Sequence, residues 1–344
     1  SFRYADTFYE YDEVVKGRAE NNNSTDNLEG SLTLKLIHEK NKFKNSLTYN
    51  KLHIERATIN YTKDTATYFG YRDAINYMGE YNFNLDNKIV YGIETELDAS
   101  RYPKDFGAGD SFKHDEGIIS QYFDFQFRPF EKLYSTFGLR SDDHSTVGRK
   151  TSGRTTLAYQ LDGNTKIRSS LGAGVRFPAL YDYLYGSSTI VDKGGVLEDL
   201  QSERGLSFDI GYDTYVDNFD LGLSATLFKT KQKNSLLSNA RTDWVMANST
   251  GVNISQGIEL SGSWKPVDKK VDLHFGYTFT DSYDAATCDP DQMAAYMDGE
   301  CHDTDGSVDN AKVRVPRHAI QTKINYNISP ILKSTLRGKY IGET

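Results

Sequence analysis

The sequence predicts an all-β fold, specifically a transmembrane, antiparallel, up-and-down β-barrel. Apolar and polar residues alternate along many runs, which is the pattern of strands with one oily and one wet face. Many runs reach about ten to twelve residues, the length that a tilted strand needs to cross a bilayer. Short and long polar links alternate between the runs, as they do in outer-membrane barrels.

The clearest alternation lies in residues 132–186. Ile167, Leu171 and Val175 share one face of a run, whereas Lys166 and Arg168 lie on the other. A sandwich core cannot hold such charged side chains, because burying unpaired charge is costly. Polar faces of this kind suit a wide, water-filled lumen.

The links divide into two alternating sets. We predict that the short links are periplasmic turns and the long links are extracellular loops. This division gives about fifteen strands. The short set is 40–41, 86–87, 129–131, 162–163, 216–218, 265–270 and 329–330, and the long set is 9–27, 55–71, 99–116, 142–150, 177–203, 232–250 and 282–315.

Composition narrows the class of protein further. Hydrophobic residues make up only 38% of the 344 residues, and no stretch is long and apolar enough for a transmembrane helix. The 24 Tyr and 18 Phe suit the zones where a barrel wall meets lipid headgroups. The net charge of −8 argues against nucleic acid as a partner. The alternating runs of bilayer length and the many aromatic residues together lead us to expect that outer-membrane lipid surrounds the protein.

Five segments, in this order and spacing, resemble the barrel of TonB-dependent outer-membrane receptors, particularly the vitamin B12 receptor and its siderophore-receptor relatives. The third segment departs from the family pattern at Gln201, where the family usually has proline. The segments are Gly138–Ser145, Gly174–Tyr181, Leu200–Glu203, Gly257–Leu260 and Arg314–His318.

The resemblance implies a full barrel of about 22 strands. Residues 1–344 are then part of the barrel domain. The plug domain, the TonB-contacting box and roughly the first four and last three strands of that barrel are expected outside this sequence. We therefore expect the working protein to be longer.

The resemblance also implies a function. The protein would be an outer-membrane transporter of a Gram-negative bacterium that takes up a scarce, bulky nutrient such as cobalamin or a ferric siderophore. The inner-membrane TonB complex would energise uptake, and no bond chemistry would be involved, so the protein would not be an enzyme. One alternative is a passive, porin-like channel. Another is a rim protease that uses Asp142, Asp143 and His144 to activate water.

Aromatic residues of the long loops are the candidate ligand contacts. Tyr and Trp offer a flat apolar face together with a hydrogen-bonding group. The candidates are Tyr181, Tyr183, Tyr185 and Trp244. The alternative for each of them is packing within the loop or the aromatic belt.

Acidic loop residues raise the possibility of calcium, the one cofactor considered. Asp303 and Asp305 have the alternating acid spacing of calcium loops, although without a full motif. The segment Tyr9–Asp12 resembles a calcium-ligating outer loop of the vitamin B12 receptor, and Glu13 lies next to it. The alternative is a solvated acidic loop. No spacing among the seven His suggests a zinc site.

The two cysteines, Cys288 and Cys301, lie in one polar link. Their closeness predicts a loop disulfide in an oxidising compartment.

Overall fold

The computed structural model describes ten segments of the chain, and the statements below concern these residues. They are residues 1–12, 22–59, 65–102, 112–180, 182–183, 200–237, 247–248, 251–266, 270–285 and 315–342. Among them, no helix has both the length and the apolar character needed to span a membrane.

Fifteen strands form one sheet. They are β1 (Phe2–Asp12), β2 (Asn22–Lys40), β3 (Phe43–Ile59), β4 (Thr65–Asn82), β5 (Lys88–Tyr102), β6 (Phe112–Phe130), β7 (Leu133–His144), β8 (Gly148–Gln160), β9 (Thr165–Arg176), β10 (Glu203–Val216), β11 (Leu221–Lys233), β14 (Val252–Trp264), β15 (Val271–Ala285), β16 (His318–Ser329) and β17 (Leu332–Ile341). Two further strands of two residues, β12 (Leu236–Leu237) and β13 (Ala247–Asn248), pair with each other.

The strands of the sheet follow one another in sequence order, and each is antiparallel to its neighbours. The hairpin β12–β13 belongs to the long link between β11 and β14. Strands β1 and β17 are the two edges of the sheet, and each has one partner within the described residues. This is the predicted up-and-down topology.

The sheet has an apolar face and a polar face. On the apolar face of β10, the side chains of Leu206, Phe208 and Ile210 remain between 42% and 50% exposed. Among the described residues, the apolar side chains that are buried are those of Ala66, Ala74 and Tyr183, whereas many buried side chains are Ser, Thr, Asp or Glu. This distribution is inverted relative to a soluble protein and fits a wall with lipid on one side and water on the other.

Several strands are longer than the sequence predicted at the end that faces the long loops. Strand β2 begins at Asn22, β3 ends at Ile59 and β5 ends at Tyr102, so parts of the links predicted at 9–27, 55–71 and 99–116 are strand. The predicted link 142–150 is also mostly strand. The prediction was wrong there because polar residues occur on both faces of these extensions, for example Glu55 and Arg56 of β3 and Ser100 and Arg101 of β5, which weakens the alternation that marks a strand.

The wall differs in height around the sheet. Strands β3 and β4 have 17 and 18 residues, whereas β7 and β8 have 12 and 13. The short links are tight turns, and two of them use the left-handed backbone conformation that Asn and Asp tolerate, at Asn41 (φ 53°) and Asp220 (φ 49°).

Candidate functional site

The candidate site lies on the polar face, at the end of the sheet that faces the long loops. Its centre is the carboxylate of Glu116 on β6, which is buried between two histidines. Glu116 Oε1 lies 3.2 Å from Nε2 of His114, and its Oε2 lies 3.6 Å from Nε2 of His144. Glu116, His114, His144, Phe177 and Tyr183 are called the rim cluster below.

The hydrogen bonds of His144 define which ring nitrogen carries the proton. The backbone N–H groups of Thr146 and Val147 both donate to Nδ1 at 3.2 Å, so Nδ1 is an acceptor without a proton. The proton of the neutral ring is therefore on Nε2, facing Glu116. The ring of Phe177 stacks on His144 with centroids 4.6 Å apart. His144 thus joins the β7–β8 turn to the start of the loop after β9.

Tyr183 attaches that loop to β6. Its ring stacks on His114 with centroids 4.6 Å apart and is only 5% exposed. The hydroxyl oxygen is buried, and among the described residues it has no hydrogen-bond partner. Burial, together with the negative charge of nearby Glu116, raises the pKa of the Tyr183 phenol. The predicted ligand contact therefore lies in a packed position in this structure.

Arg176 joins the two ends of the same loop. Its guanidinium lies 3.0 Å from Glu203 on β10 and 3.8 Å from Asp182. Asp182 in turn accepts a hydrogen bond from the backbone N–H of Ala179 at 2.8 Å. Glu203 also accepts from the backbone N–H of Leu236 at 2.7 Å, beyond β11. Arg176 thus links the end of β9, the loop after it and the start of β10.

A second network lies lower on the polar face, around Arg140 of β7. The guanidinium donates to Asp142 at 2.7 Å and to Ser120 at 2.8 Å, and it lies 3.2 Å from Glu94. The hydroxyl of Ser120 donates to the same Asp142 oxygen at 2.7 Å. Ser120 is 1% exposed and Asp142 is 6% exposed, so this is a connected, buried polar network.

Similar pairs continue along the polar face on both sides. Arg72 makes a bidentate contact with Asp98 at 2.6 and 2.7 Å, and Arg168 donates to Asp213 at 3.1 Å. Bidentate arginine–carboxylate contacts are strong and geometrically specific. From β4 to β10 the polar face therefore carries a series of arginine–carboxylate pairs, which can bind a polar or charged solute by noncovalent contacts.

The three residues of the alternative protease hypothesis do not converge on one point. Asp142 and His144 lie on the polar face, but Asp143 projects from the apolar face and pairs with Arg149 at 2.9 Å. Adjacent side chains of a strand point to opposite faces. Nδ1 of His144, the ring nitrogen without a proton, already accepts hydrogen bonds from two backbone N–H groups. It is therefore not oriented to accept a proton from water.

Most of the other predicted site residues lie outside the described residues. These are Tyr181, Tyr185, Trp244, Glu13, Asp303, Asp305 and the two cysteines, Cys288 and Cys301. The backbone of Asp12 ends β1. The described part of the chain has no group of three or more His, Cys, Asp or Glu side chains arranged to hold a metal ion.

The rim cluster was not predicted as a unit from the sequence, although His144 and Tyr183 were each named as candidates. His114 and Glu116 fall in the link predicted at 99–116, so they were not assigned to a strand. A signal was present, because His114 and Glu116 on β6, like Asp142 and His144 on β7, are spaced two apart and therefore share a face. Their convergence depends on the register, in which Ile118 faces His144 across the strand pair.

Comparison with solved structures supports the fold. The alcaligin outer-membrane receptor FauA from Bordetella pertussis is 14% identical, with a TM-score of 0.68 over 99% of this chain and 57% of its own. The siderophore receptor PirA from Pseudomonas aeruginosa is 13% identical, with a TM-score of 0.66 over 93% and 58%. A mutant of the ferric enterobactin receptor PfeA from Pseudomonas aeruginosa is 15% identical, with a TM-score of 0.69 over 93% and 49%. The chain thus spans about half the length of these receptors.

None of the curated proteins compared with the sequence matches it significantly. The family model described as "TonB dependent receptor-like, beta-barrel" matches residues 1–343. Barrels of this family lie in the outer membrane of Gram-negative bacteria, and the family is one of transporters rather than enzymes. The predicted family, fold and location are confirmed: the chain belongs to the TonB-dependent receptors and forms part of an outer-membrane β-barrel.

Proposed function

We propose that this chain is the wall of a transporter that takes up a bulky metal chelate, with a ferric siderophore as the first candidate and a corrinoid as the second. The observation that carries the proposal is the series of arginine–carboxylate pairs on the polar face, from Arg72–Asp98 through Arg140–Asp142 to Arg168–Asp213. Such a face suits a wide aqueous lumen that binds a solute without bond chemistry. The matched solved structures are siderophore receptors by their own descriptions, which favours the first candidate.

Energy for uptake would come from the inner-membrane TonB complex, acting through a plug and a TonB-contacting box in the rest of the protein. The outer edges of β1 and β17 need backbone partners in lipid, because unpaired N–H and C=O groups are costly there. Further strands of a longer barrel would supply those partners. The solved receptors, which are about twice as long as this chain, are consistent with this proposal.

Uptake in cells tests the proposal. Cells that express the full-length receptor, and cells that lack it, are given radiolabelled ferric siderophores or cobalamin, with and without a protonophore. We expect receptor-dependent accumulation of one ligand that stops when the proton gradient collapses. Entry that persists without the gradient and extends to unrelated small solutes would instead indicate a passive channel.

Variants on the two faces show whether the rim cluster contributes. Glu116→Gln removes the charge between His114 and His144, so we expect it to raise the apparent KM for uptake. Asp143→Asn is the control, because it changes a carboxylate at a similar height on the apolar face. Equal effects of both variants would mean that the charge of Glu116 does not contribute to solute binding. Calcium binding through Asp12, Glu13, Asp303 and Asp305 stays a prediction, and titration calorimetry of the full protein tests it.

A further inference from the structure

Basic residues cluster on the apolar, lipid-facing side of the wall, at its extracellular end. Lys229, Lys231 and Lys233 follow one another on the exposed face of β11, and Arg204 lies directly opposite Lys233 on β10. These four residues are called the basic stripe. The stripe begins where the apolar side chains of the same strands end, since Lys229 faces Phe208 and Lys231 faces Leu206.

The stripe has an unusual charge balance compared with the rest of this face. Other basic side chains toward the extracellular end of the apolar face have carboxylate partners: Lys51 with Asp73 at 3.5 Å, and Arg149 with Asp143 at 2.9 Å. Within the described residues, no carboxylate oxygen lies within 4.0 Å of a side-chain nitrogen of these four residues.

The neighbouring strands do not neutralise the stripe. On one side, Val175 of β9 faces Arg204, and on the other side β14 places Val252 and Ile254 opposite Lys233 and Lys231. Lys229 donates to Gln256 at 2.9 Å. Asp281 lies one strand further, about 10 Å from Lys229 by strand spacing, and it accepts a hydrogen bond from Gln256 at 3.3 Å.

This arrangement costs stability unless an anion is present. Like charges directly opposite each other on antiparallel strands repel, and Arg204 and Lys233 are such a pair. Successive lysines on one face are about 7 Å apart, so a single anion or two neighbouring anions can contact several of them. Arginine and lysine bind phosphate groups well.

We propose that the basic stripe binds the phosphate groups of lipid headgroups in the outer leaflet. Phe208 and Leu206 contact the acyl chains below, while the lysine and arginine heads reach the phosphates above them. The inference depends on the lipid-facing orientation of the stripe and not on the transported solute, so it holds whichever ligand is taken up.

Native mass spectrometry of the detergent-purified, full-length receptor tests the proposal, with bisphosphorylated lipid A and its dephosphorylated form as probes. Each basic residue near an anionic surface contributes about fivefold in affinity. The triple variant Arg204→Gln, Lys231→Gln, Lys233→Gln is therefore expected to bind the bisphosphorylated lipid about 100-fold more weakly. The matched control changes Lys51, Arg101 and Arg149 to Gln, three basic residues that have carboxylate partners, and is expected to lose little affinity.

Three outcomes would overturn the proposal. They are equal losses in the triple variant and the control, equal affinity for the dephosphorylated lipid, and displacement of the bound lipid by inorganic phosphate. Heat-modifiable migration on gels confirms that each variant is folded. If the triple variant does not fold, the single variant Lys231→Gln is expected to lose about fivefold in affinity. An unchanged affinity of this single variant would also overturn the proposal.

Discussion

Asp142 and Asp143 are neighbours of the same residue type on β7, yet we expect their removal to have very unequal effects on stability. Asp142 is 6% exposed and accepts hydrogen bonds from Arg140 and Ser120, both at 2.7 Å. Asp143 lies on the other face, where its side chain is 51% exposed and pairs with Arg149, which is 71% exposed. Comparing Asp142→Ala with Asp143→Ala therefore separates the contribution of the buried polar face to stability from that of the exposed apolar face.

The contacts of each aspartate determine the expected change in the free energy of unfolding. A hydrogen bond to a charged group contributes about 1.5–3 kcal/mol, and Asp142→Ala removes two of them. Arg140 keeps Glu94 at 3.2 Å and is partly exposed, which reduces the loss. We therefore expect Asp142→Ala to lower the free energy of unfolding by about 3 kcal/mol. Exposed ion pairs contribute about 0–1 kcal/mol, so Asp143→Ala should change little.

Guanidinium unfolding of the full-length receptor in detergent micelles measures both variants, with tryptophan fluorescence as the probe. If unfolding proves irreversible, the thermal midpoints at one fixed scan rate replace the free energies. Hydrogen exchange on β6 and β7 locates the effect, which should centre on Ser120. Equal destabilisation by the two variants, or a larger effect for Asp143→Ala, would refute the assignment of the two faces.

Two further predictions concern the loop after β9 and the packing of β14. Because the buried Tyr183 hydroxyl has no hydrogen-bond partner in the described part of the chain, Tyr183→Phe should leave protease protection of the loop unchanged or increased, whereas Tyr183→Ala should expose the loop to cleavage. The raised pKa of Tyr183 keeps its phenol neutral, so protection should stay constant up to about pH 10 and fall only at higher pH, which limited proteolysis across pH will show. A Cβ at Gly257 would clash with the backbone oxygen of Phe279, so Gly257→Ala should destabilise the barrel by about 1–3 kcal/mol in thermal unfolding. Gly205→Ala is the control, because nothing lies within 4 Å of its added Cβ; equal midpoints for the two glycine variants would contradict the packing.

The sequence predicted the sheet because alternation is a local property of the chain. Runs such as 206–212 carry their apolar face in the residues themselves, and the length of the links distinguished the two ends of the wall. The rim cluster was not predictable in this way. The stacking of Phe177 on His144 and of Tyr183 on His114 joins segments more than 30 residues apart. Such contacts depend on strand register and on the path of a loop, neither of which alternation reports.

The uneven strand lengths have a consequence for access from outside the cell. Strands β3 and β4 are about five residues longer than β7 and β8, which corresponds to about 13 Å of height for strands tilted by about 40°. The described wall is therefore higher at β3 and β4 than at β7 and β8 of the same sheet. Phe177, from the start of the loop after β9, stacks on His144 at the extracellular end of β7, and Tyr183 stacks on His114 of β6. A solute that approaches over β7 and β8 thus passes a lower wall than one that approaches over β3 and β4.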